Sequence, residues 1–262
     1  MPTFGKLYGQ ITVPAGGWAF SATSAGGSGA ESITGGDYYM DALLVEFADK
    51  LDDATSDPWT VSISGGEGGT GQIIVSTNGN GNGSITWTAT DFRDLLGFTG
   101  NLSGAGLHTS TNSARGVWLP DGPHRTLFGD DDAGWQESDA RATESPTGHV
   151  KVFQGNYKQV QAVEWMGISH AYCRIAGEGA VANTSFEIFW RDCIQGDAMG
   201  LSAGPYGKPG GPIKYYPDAD TTTNVEYVVA GEQLRQFTAE QMSEGWIELW
   251  RIPLDRLVKV PA

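Results

Sequence analysis

The chain contains little cysteine. Cys173 and Cys193 are the two cysteines among its 262 residues, and neither shows the Cys-X-X-Cys or Cys/His spacing of a zinc site. We expect both to be free, buried thiols, and a single disulfide between them stays an open alternative.

Positive charge is also scarce. Lys and Arg total 16 against 31 Asp and Glu, so the net charge is −15. A nucleic-acid or anionic-membrane partner would require clustered Lys and Arg, and both are therefore disfavoured. An acidic surface favours solubility, contact with a basic partner, or the lining of a lumen to which DNA must not adhere.

Long apolar runs are missing as well. No window approaches the roughly 18 apolar residues of a membrane span. The N-terminal segment lacks the apolar region of a signal peptide. We therefore expect a chain that is made without Sec export and does not cross a membrane.

Glycine and proline are abundant, at 38 and 12 residues, and they indicate many turns between short strands. The predicted class is α+β and β-rich, with antiparallel sheets and a few short amphipathic helices. The composition predicts an N-terminal α+β domain (1–118), an acidic linker or long loop (119–148), and a C-terminal β-rich domain with one helix (149–262).

In the first domain, hydrophobic periodicity predicts an amphipathic helix that begins at Asp37 and ends before Pro58. Three antiparallel strands follow, in a sheet that this helix and a second one cover on one face. Segments 24–36 and 103–116 are predicted as loops. The predicted strands lie at 59–64, 72–77 and 84–88.

The segment 84–100 combines the third strand with the second helix. Thr90 or Asp91 is expected to cap that helix through its side-chain oxygen. Gly97 is expected to adopt the left-handed conformation that ends it, and Phe98 to contact the helix near Phe92. The segment is therefore predicted to be a folding unit.

The C-terminal domain is predicted to contain one helix within 184–196. Thr184 and Glu187 have capping-box spacing, and Gly196 is a suitable stop. The predicted strands lie at 150–153, 160–166, 169–175, 213–216, 225–229 and 246–253.

Two glycine-rich stretches could suggest a phosphate-binding loop. Gly207 and Lys208 are followed by Pro209, which does not fit the P-loop pattern. The stretch 66–71 matches GxGxxG, but it lies between two predicted strands and not at a strand-to-helix turn. Nucleotide binding is therefore disfavoured.

Aspartates recur in two acidic loops, where oxygen ligands could hold a hard cation. The first set is 130–132, and the second is Asp218, Asp220 and Asn224. The second set lacks the glycine and the closing glutamate of an EF-hand loop. Solvated surface loops explain both sets better.

His170 and Cys173 are close enough in sequence to suggest a Cys/His nucleophile. On a strand, however, their spacing places them on opposite faces, and Cys173 is better explained as a core thiol. His108, His124 and His149 fall in predicted loops without a spaced partner.

The 9 tryptophans could form sugar-stacking platforms beside paired carboxylates, as in a glycan-binding or glycan-hydrolysing protein. Trp87, Trp165, Trp190 and Trp250 fall in predicted elements, which favours core positions for them. The pairing of carboxylates depends on the fold and stays open.

The segments SITWTATDFRDLLGFTG and RGVWLPDGP resemble virion structural proteins of tailed bacteriophages. PIKYYPDAD, VEYVV and WIELWRIPLDRL are similar to such chains too. The resemblance covers 37–122 and, more loosely, 185–260. It implies a scaffold that assembles in many copies through symmetric contacts, and it transfers no catalytic residue.

These observations together predict a structural component of a tailed-phage virion, in the tail or associated with it. The predicted partners are copies of itself and other virion proteins, and the predicted location is the virion, assembled in the host cytoplasm. We predict no enzymatic activity and no catalytic, cofactor-binding or metal-binding residues. A capsid decoration protein is the first alternative, and a carbohydrate-binding or glycan-hydrolysing protein is the second.

Overall fold

Strands dominate the computed structural model of the chain, which confirms the predicted β-rich α+β class with antiparallel sheets. The described residues are 5–65, 69–77, 82–104, 106–126, 135–138, 141–144, 150–153, 157–174, 183–195, 210–217, 224–230, 239–242 and 248–260.

The elements of the first half alternate between short strands and two helices. In chain order they are β1 (Lys6–Val13), β2 (Trp18–Thr23), β3 (Ser28–Ile33), β4 (Gly36–Tyr39), α1 (Met40–Thr55), β5 (Trp59–Ile63), β6 (Gln72–Thr77), β7 (Ser84–Trp87), α2 (Thr90–Leu95), β8 (Leu107–Ser113) and β9 (Val117–Trp118).

The second half contains two longer strands and a helix of mixed type. Its elements are β10 (His124–Thr126), β11 (Trp135–Ser138), β12 (Arg141–Glu144), β13 (Val150–Phe153), β14 (Tyr157–Ser169), α3 (His170–Cys173), α4 (Phe186–Phe189), a π-helix (Trp190–Gln195), β15 (Ile213–Tyr216), β16 (Val225–Val229), β17 (Glu240–Gln241) and β18 (Leu249–Lys259).

A 10-stranded sheet connects the two halves of the chain. Its main order is β10-β14-β18-β16-β15-β1-β4, and all the pairings are antiparallel. The first half of β1 pairs with β15, where Lys6 lies opposite Tyr216, and its second half pairs with β4, where Gln10 lies opposite Tyr39. The N-terminal strand is therefore an interior strand of a sheet that the C-terminal half largely supplies.

Among the described residues, two buried clusters form the hydrophobic core. In the first, the rings of Phe47 and Phe92 meet edge to face at 5.0 Å, and the Trp87 ring lies 5.6 Å from Phe92. In the second, Trp118 and Trp165 meet edge to face at 5.0 Å. Such aromatic pairs add about 0.5–1.5 kcal/mol each to the stabilisation from burial.

The clusters do not follow the order of the chain strictly. Leu7 belongs to the second cluster, although Tyr8 belongs to the first, and Tyr216 packs in the first cluster from the C-terminal half. The predicted domain boundaries at 118 and 149 stay a prediction.

The predicted three-stranded sheet of the first domain is wrong in one pairing. β6 pairs with β5 and β8, whereas β7 pairs with β2 in a separate sheet of order β3-β2-β7. Alternation along β7 identifies a strand, but it does not specify a partner. The partner is β2, where Phe20 lies opposite Trp87 and both side chains are buried.

The segment 84–100 confirms the predicted helix end and corrects its start. The Phe98 N–H donates to Arg93 O at 3.1 Å and the Gly97 N–H to Asp94 O at 3.1 Å, the two bonds of a Schellman motif, and Gly97 has φ +81°. The N-cap is Ala89, with no side-chain cap. The Phe98 ring stacks on Trp87 at 5.6 Å.

Two segments predicted as loops contain strands. β3 lies within 24–36 and β8 within 103–116. A glycine is required at position 29 because a Cβ there would lie 2.7 Å from Ala54 O at the end of α1. The small polar residues that suggested a flexible loop therefore permit close contact with α1.

Several element boundaries also differ from the predictions. α1 begins at Met40, because Asp37 lies in β4 and accepts a hydrogen bond from Thr12. The predicted strand 169–175 is wrong, since β14 ends at Ser169 and α3 follows. The predicted helix within 184–196 is confirmed, but its N-cap is Ser185, whose hydroxyl accepts from the Ile188 N–H.

Candidate functional site

A polar cluster lies where α1 begins against the large sheet, and Asp41 is at its centre. The Tyr216 hydroxyl donates to Asp41 Oδ2 at 2.8 Å, and Lys214 Nζ donates to the same oxygen at 3.1 Å. The Ala42 N–H donates to Asp41 Oδ1 at 2.9 Å. The carboxylate therefore connects the first turn of α1 to β15.

These contacts set the ionisation of Asp41. Partial burial alone raises the pKa of this carboxyl, but the hydrogen bonds from Tyr216, Ala42 and Lys214 outweigh burial and lower the pKa below its ordinary value. Burial and the bond to Asp41 raise the pKa of Tyr216. Asp41 is therefore a carboxylate, and Tyr216 a neutral donor, at neutral pH.

Two lysines lie over the tyrosine rings of this cluster. Lys6 Nζ is 4.7 Å from the Tyr216 ring centre and 5.4 Å from that of Tyr8, and Lys214 Nζ is 4.4 Å from the Tyr39 ring centre. Each such contact stabilises the fold by about 0.5–1 kcal/mol at a partly exposed site. Because Lys214 also meets Asp41, this arrangement serves to fix α1 on the sheet.

Beside this polar cluster, two polar side-chain atoms are buried without a well-formed hydrogen bond to any described residue. They are the Tyr39 hydroxyl and Gln10 Oε1, on residues that lie opposite each other in β4 and β1. After burial, the nearby Glu226 carboxylate is the next cause that raises the pKa of Tyr39. These atoms mark the least well satisfied part of the cluster.

A bidentate ion pair joins the two hydrophobic clusters. Arg115 Nε and Nη2 donate to the two Asp192 carboxylate oxygens, each at 2.6 Å. Asp192 is almost fully buried, with its side chain 4% exposed, and the Arg115 side chain is 15% exposed. The Arg115 N–H donates to Leu95 O, so the pair connects the end of α2 with the π-helix.

The π-helix explains how Asp192 reaches this position. An α-helical wheel places Asp192 off the apolar stripe, whereas the wider turn of a π-helix brings Asp192, Cys193 and Ile194 to the buried side together. Sequence reasoning did not identify Arg115 or Asp192. The two residues are 77 positions apart, and neither belongs to a periodic apolar pattern.

The proposed Cys/His pair has a different geometry from the one expected on a strand. His170 begins α3 and contacts Glu248, with Nδ1 and Oε2 2.6 Å apart, and its ring meets Trp250 at 5.7 Å. Cys173 is buried, and burial raises the pKa of its thiol to about 12. A catalytic cysteine requires a lowered pKa, so Cys173 is a core thiol.

Cys193 is also buried, and burial raises its pKa well above the ordinary value. Both cysteines are free thiols, which leaves no disulfide between them. Cys193 lies against β1 so closely that a Cβ on Gly9 would be 2.1 Å from its sulfur. Its position is therefore explained by packing.

The GxGxxG stretch belongs to a connection between antiparallel strands, as predicted. Its first part, 66–68, lies outside the described residues. Thr70 and Gly71 line a small crevice with Ser113 and Leu119, which has room for little more than a water molecule. The Ser113 hydroxyl donates to Thr70 O across it. This crevice is too small for a nucleotide.

Several candidate residues lie outside the described residues: 130–132, His149, 207–208, Asp218 and Asp220. Among those described, His108 lies in β8, with Nε2 3.2 Å from Gly83 O. His124 lies in β10, with its ring 5.6 Å from Tyr215. The prediction that these two histidines lie in loops is therefore wrong.

Most of the tryptophans whose side chains are described are buried. Trp87, Trp165 and Trp190 are core residues, as predicted, and Trp250 is half-buried. Trp18, Trp59 and Trp118 are buried too. Burial removes the rings of these six buried tryptophans, but not that of Trp250, as stacking platforms for a sugar.

Along the outer edge of β5, some backbone groups have no hydrogen-bond partner among the described residues. The Ser64 N–H donates to Gln72 O, so alternate residues of β5 point toward β6 and those between them point away. The Trp59 N–H points away and donates to Asp52 Oδ1 at 2.6 Å. The backbone N–H and C=O groups of Val61 and Ile63 also point away from β6. No described residue forms a backbone hydrogen bond with them.

Within the described ranges, no three His, Cys, Asp or Glu side chains are grouped so as to hold a metal ion. None of the helices in the same residues has the length and apolar composition needed to span a bilayer. No family model, curated protein or solved structure matches the chain.

Proposed function

We propose that the chain is a structural component of a tailed-phage virion, in the tail or associated with it, and acts by assembling with copies of itself and other virion proteins. It functions as a scaffold and not as an enzyme. Its location is the particle, which forms in the host cytoplasm.

The observation that carries this proposal is the open strand edge. β5 presents backbone donors and acceptors that no described residue uses. Soluble monomeric proteins usually protect such edges with charge, proline or a covering element. Neighbouring subunits of an assembly can cover the edge instead.

The side chains of the described residues support a scaffold role. Asp41, Lys214 and Tyr216 fix a helix to a sheet, and Arg115 and Asp192 join two hydrophobic clusters. In the Asp41 cluster, and likewise in the Arg115–Asp192 pair, the polar side chains bind one another and so stabilise the fold.

The preference for the tail depends on charge. A net charge of −15 suits a surface along which DNA passes, because acidic groups repel phosphates. A capsid decoration protein also fits an acidic assembling chain. Buried tryptophans weigh against the glycan-binding alternative, which would use exposed rings.

Purified particles provide the direct test. The phage whose genome carries this gene is propagated, its particles are banded on a density gradient, and the bands are analysed by mass spectrometry and by immunogold labelling with an antibody to this chain. We expect the chain in the particles in many copies, with gold on the tail. Gold on the capsid would favour the decoration protein. Absence from particles, with the chain abundant in the lysate, would refute the proposal.

A further inference from the structure

We propose that β5 pairs with β5 of a second copy of the chain, antiparallel and across a two-fold axis, so that the sheets of two copies become continuous. The pairing rests on the proposed assembly role. It specifies the surface through which two copies meet and the register of the contact.

The register follows from the backbone groups that point outward. If Val61 of one copy lies opposite Ile63 of the other, both residues exchange N–H···O bonds with their partners, and the axis passes between the two Ser62 residues. A register shifted toward Trp59 would meet a backbone N–H that already donates to Asp52. The geometry therefore favours the pairing centred on Ser62.

The side chains fit the same register. Val61 and Ile63 are half-buried on the face of β5 that packs on the first hydrophobic cluster, and the pairing would set these apolar side chains opposite each other. Thr60 and Ser62 are exposed on the other face. Ser62 is small, so two copies can meet at the axis without a clash.

The absence of charge along β5 favours a second copy as the occupant. The stretch 58–66, PWTVSISGG, carries no charged side chain in a chain whose net charge is −15. Two copies that each carry this net negative charge repel each other on average, and this strand adds no charged side chain to the contact. It also lacks the charged residue that commonly protects an edge strand.

Cross-linking tests the register directly. In a non-hydrogen-bonded antiparallel pair the Cα atoms are about 4.5 Å apart, which falls within the range of about 4.4–6.8 Å that a disulfide spans. Ser62→Cys should therefore form a covalent dimer under mild oxidation. The matched control is Thr109→Cys, an exposed position on β8 at the other edge of the same sheet. Cys173 and Cys193 are buried and should not compete.

We expect Ser62→Cys to cross-link about 100-fold faster than Thr109→Cys, because the effective thiol concentration within a pair, about 1 mM, exceeds a dissociation constant of about 10 μM by that factor. Equal rates for the two variants would overturn the proposal. A short strand buries little area, so the pairing of the wild-type chain should be weak and should become evident with rising concentration.

Light scattering and hydrogen exchange on the purified chain give a second readout. The mass of the wild type should rise toward twice the monomer with concentration, with slowed exchange at the Val61 and Ile63 amides. Ser62→Lys should stay monomeric because like charges meet at the axis, whereas Thr109→Lys should behave like the wild type. Fast exchange of both amides at every concentration would overturn the proposal.

Particles separate this inference from the proposed function. Incorporation of Ser62→Lys into particles as efficiently as the wild type would overturn the β5 contact and leave the virion role intact. Amide protection at Val61 and Ile63 that requires another virion protein would assign the edge to that protein and overturn the second copy as occupant.

Discussion

Replacement of Arg115 by Met should destabilise the fold strongly, because it leaves the Asp192 carboxylate buried beside an apolar side chain. Two unit charges about 4 Å apart attract by about 4 kcal/mol at an effective dielectric constant of about 20. Removing one partner of a buried pair costs about 3–5 kcal/mol. We expect Arg115→Met to lower the free energy of unfolding by about 3–5 kcal/mol.

The double variant Arg115→Met/Asp192→Leu distinguishes an unpaired charge from lost packing. It removes both charges at once, so no buried ion stays uncompensated, and it should recover most of the lost stability. The matched control is Lys50→Met. Lys50 Nζ lies 3.8 Å from a Glu31 oxygen, and both side chains are partly exposed. Loss of such a pair costs about 0–1 kcal/mol.

Urea denaturation at pH 7 measures these differences. Tryptophan fluorescence and far-UV circular dichroism should be followed together, so that separate unfolding of the two hydrophobic clusters would be detected. A loss for Arg115→Met no larger than that of Lys50→Met would refute the reasoning. A double variant no more stable than Arg115→Met would refute it too.

Two other predictions concern the first hydrophobic cluster and the polar cluster at α1. Leu96→Ala, at a fully buried position, should lower the free energy of unfolding by about 2–5 kcal/mol. Leu107→Ala, at a side chain that is 61% exposed, should change it by less than about 0.5 kcal/mol. Equal losses in urea denaturation would contradict the assignment of 84–100 as a folding unit. Because the pKa of Asp41 is lowered in the folded chain from an ordinary value of 3.8, its ionised form should stabilise the wild type relative to Asp41→Asn above that pH, and the difference should vanish as pH falls through the lowered pKa. Urea denaturation of both proteins between pH 7 and acid measures this, and a stability difference that grows on acidification would show that the sign is wrong.

Local patterns in the sequence predicted local structure well. The Schellman motif at Gly97 requires only neighbouring residues, and it was predictable for that reason. The burial of Trp87 and Trp165 followed from their places in periodic segments. The β-rich class followed from glycine, proline and strand alternation.

Pairings between distant segments were not predictable. Alternation in β7 is compatible with β6 or β2 as a partner, and only the assembled core selects β2. The polar cluster joins Asp41 to Lys214, 173 positions away, and no local pattern connects the two. Asp192 was missed for a different reason, because the helical wheel assumed α geometry where the chain forms a π-helix.

The place of β1 in the large sheet has a consequence for synthesis on the ribosome. Lys6 and Leu7 emerge before their partners Tyr216 and Tyr215 on β15, which follow about 200 residues later. At about 5–20 residues per second, that interval is about 10–40 s. During this interval the first half of β1 lacks its β15 partner, and the second hydrophobic cluster, to which Leu7 belongs, is incomplete.

The nascent chain can form the contacts of α1 with β2 and β3 much earlier, since those elements are adjacent in sequence. Completion of the large sheet must wait for the C-terminal half. Newly made chains therefore pass through a stage in which an apolar strand is exposed, and crowding of polysomes at that stage favours pairing between chains over pairing within one.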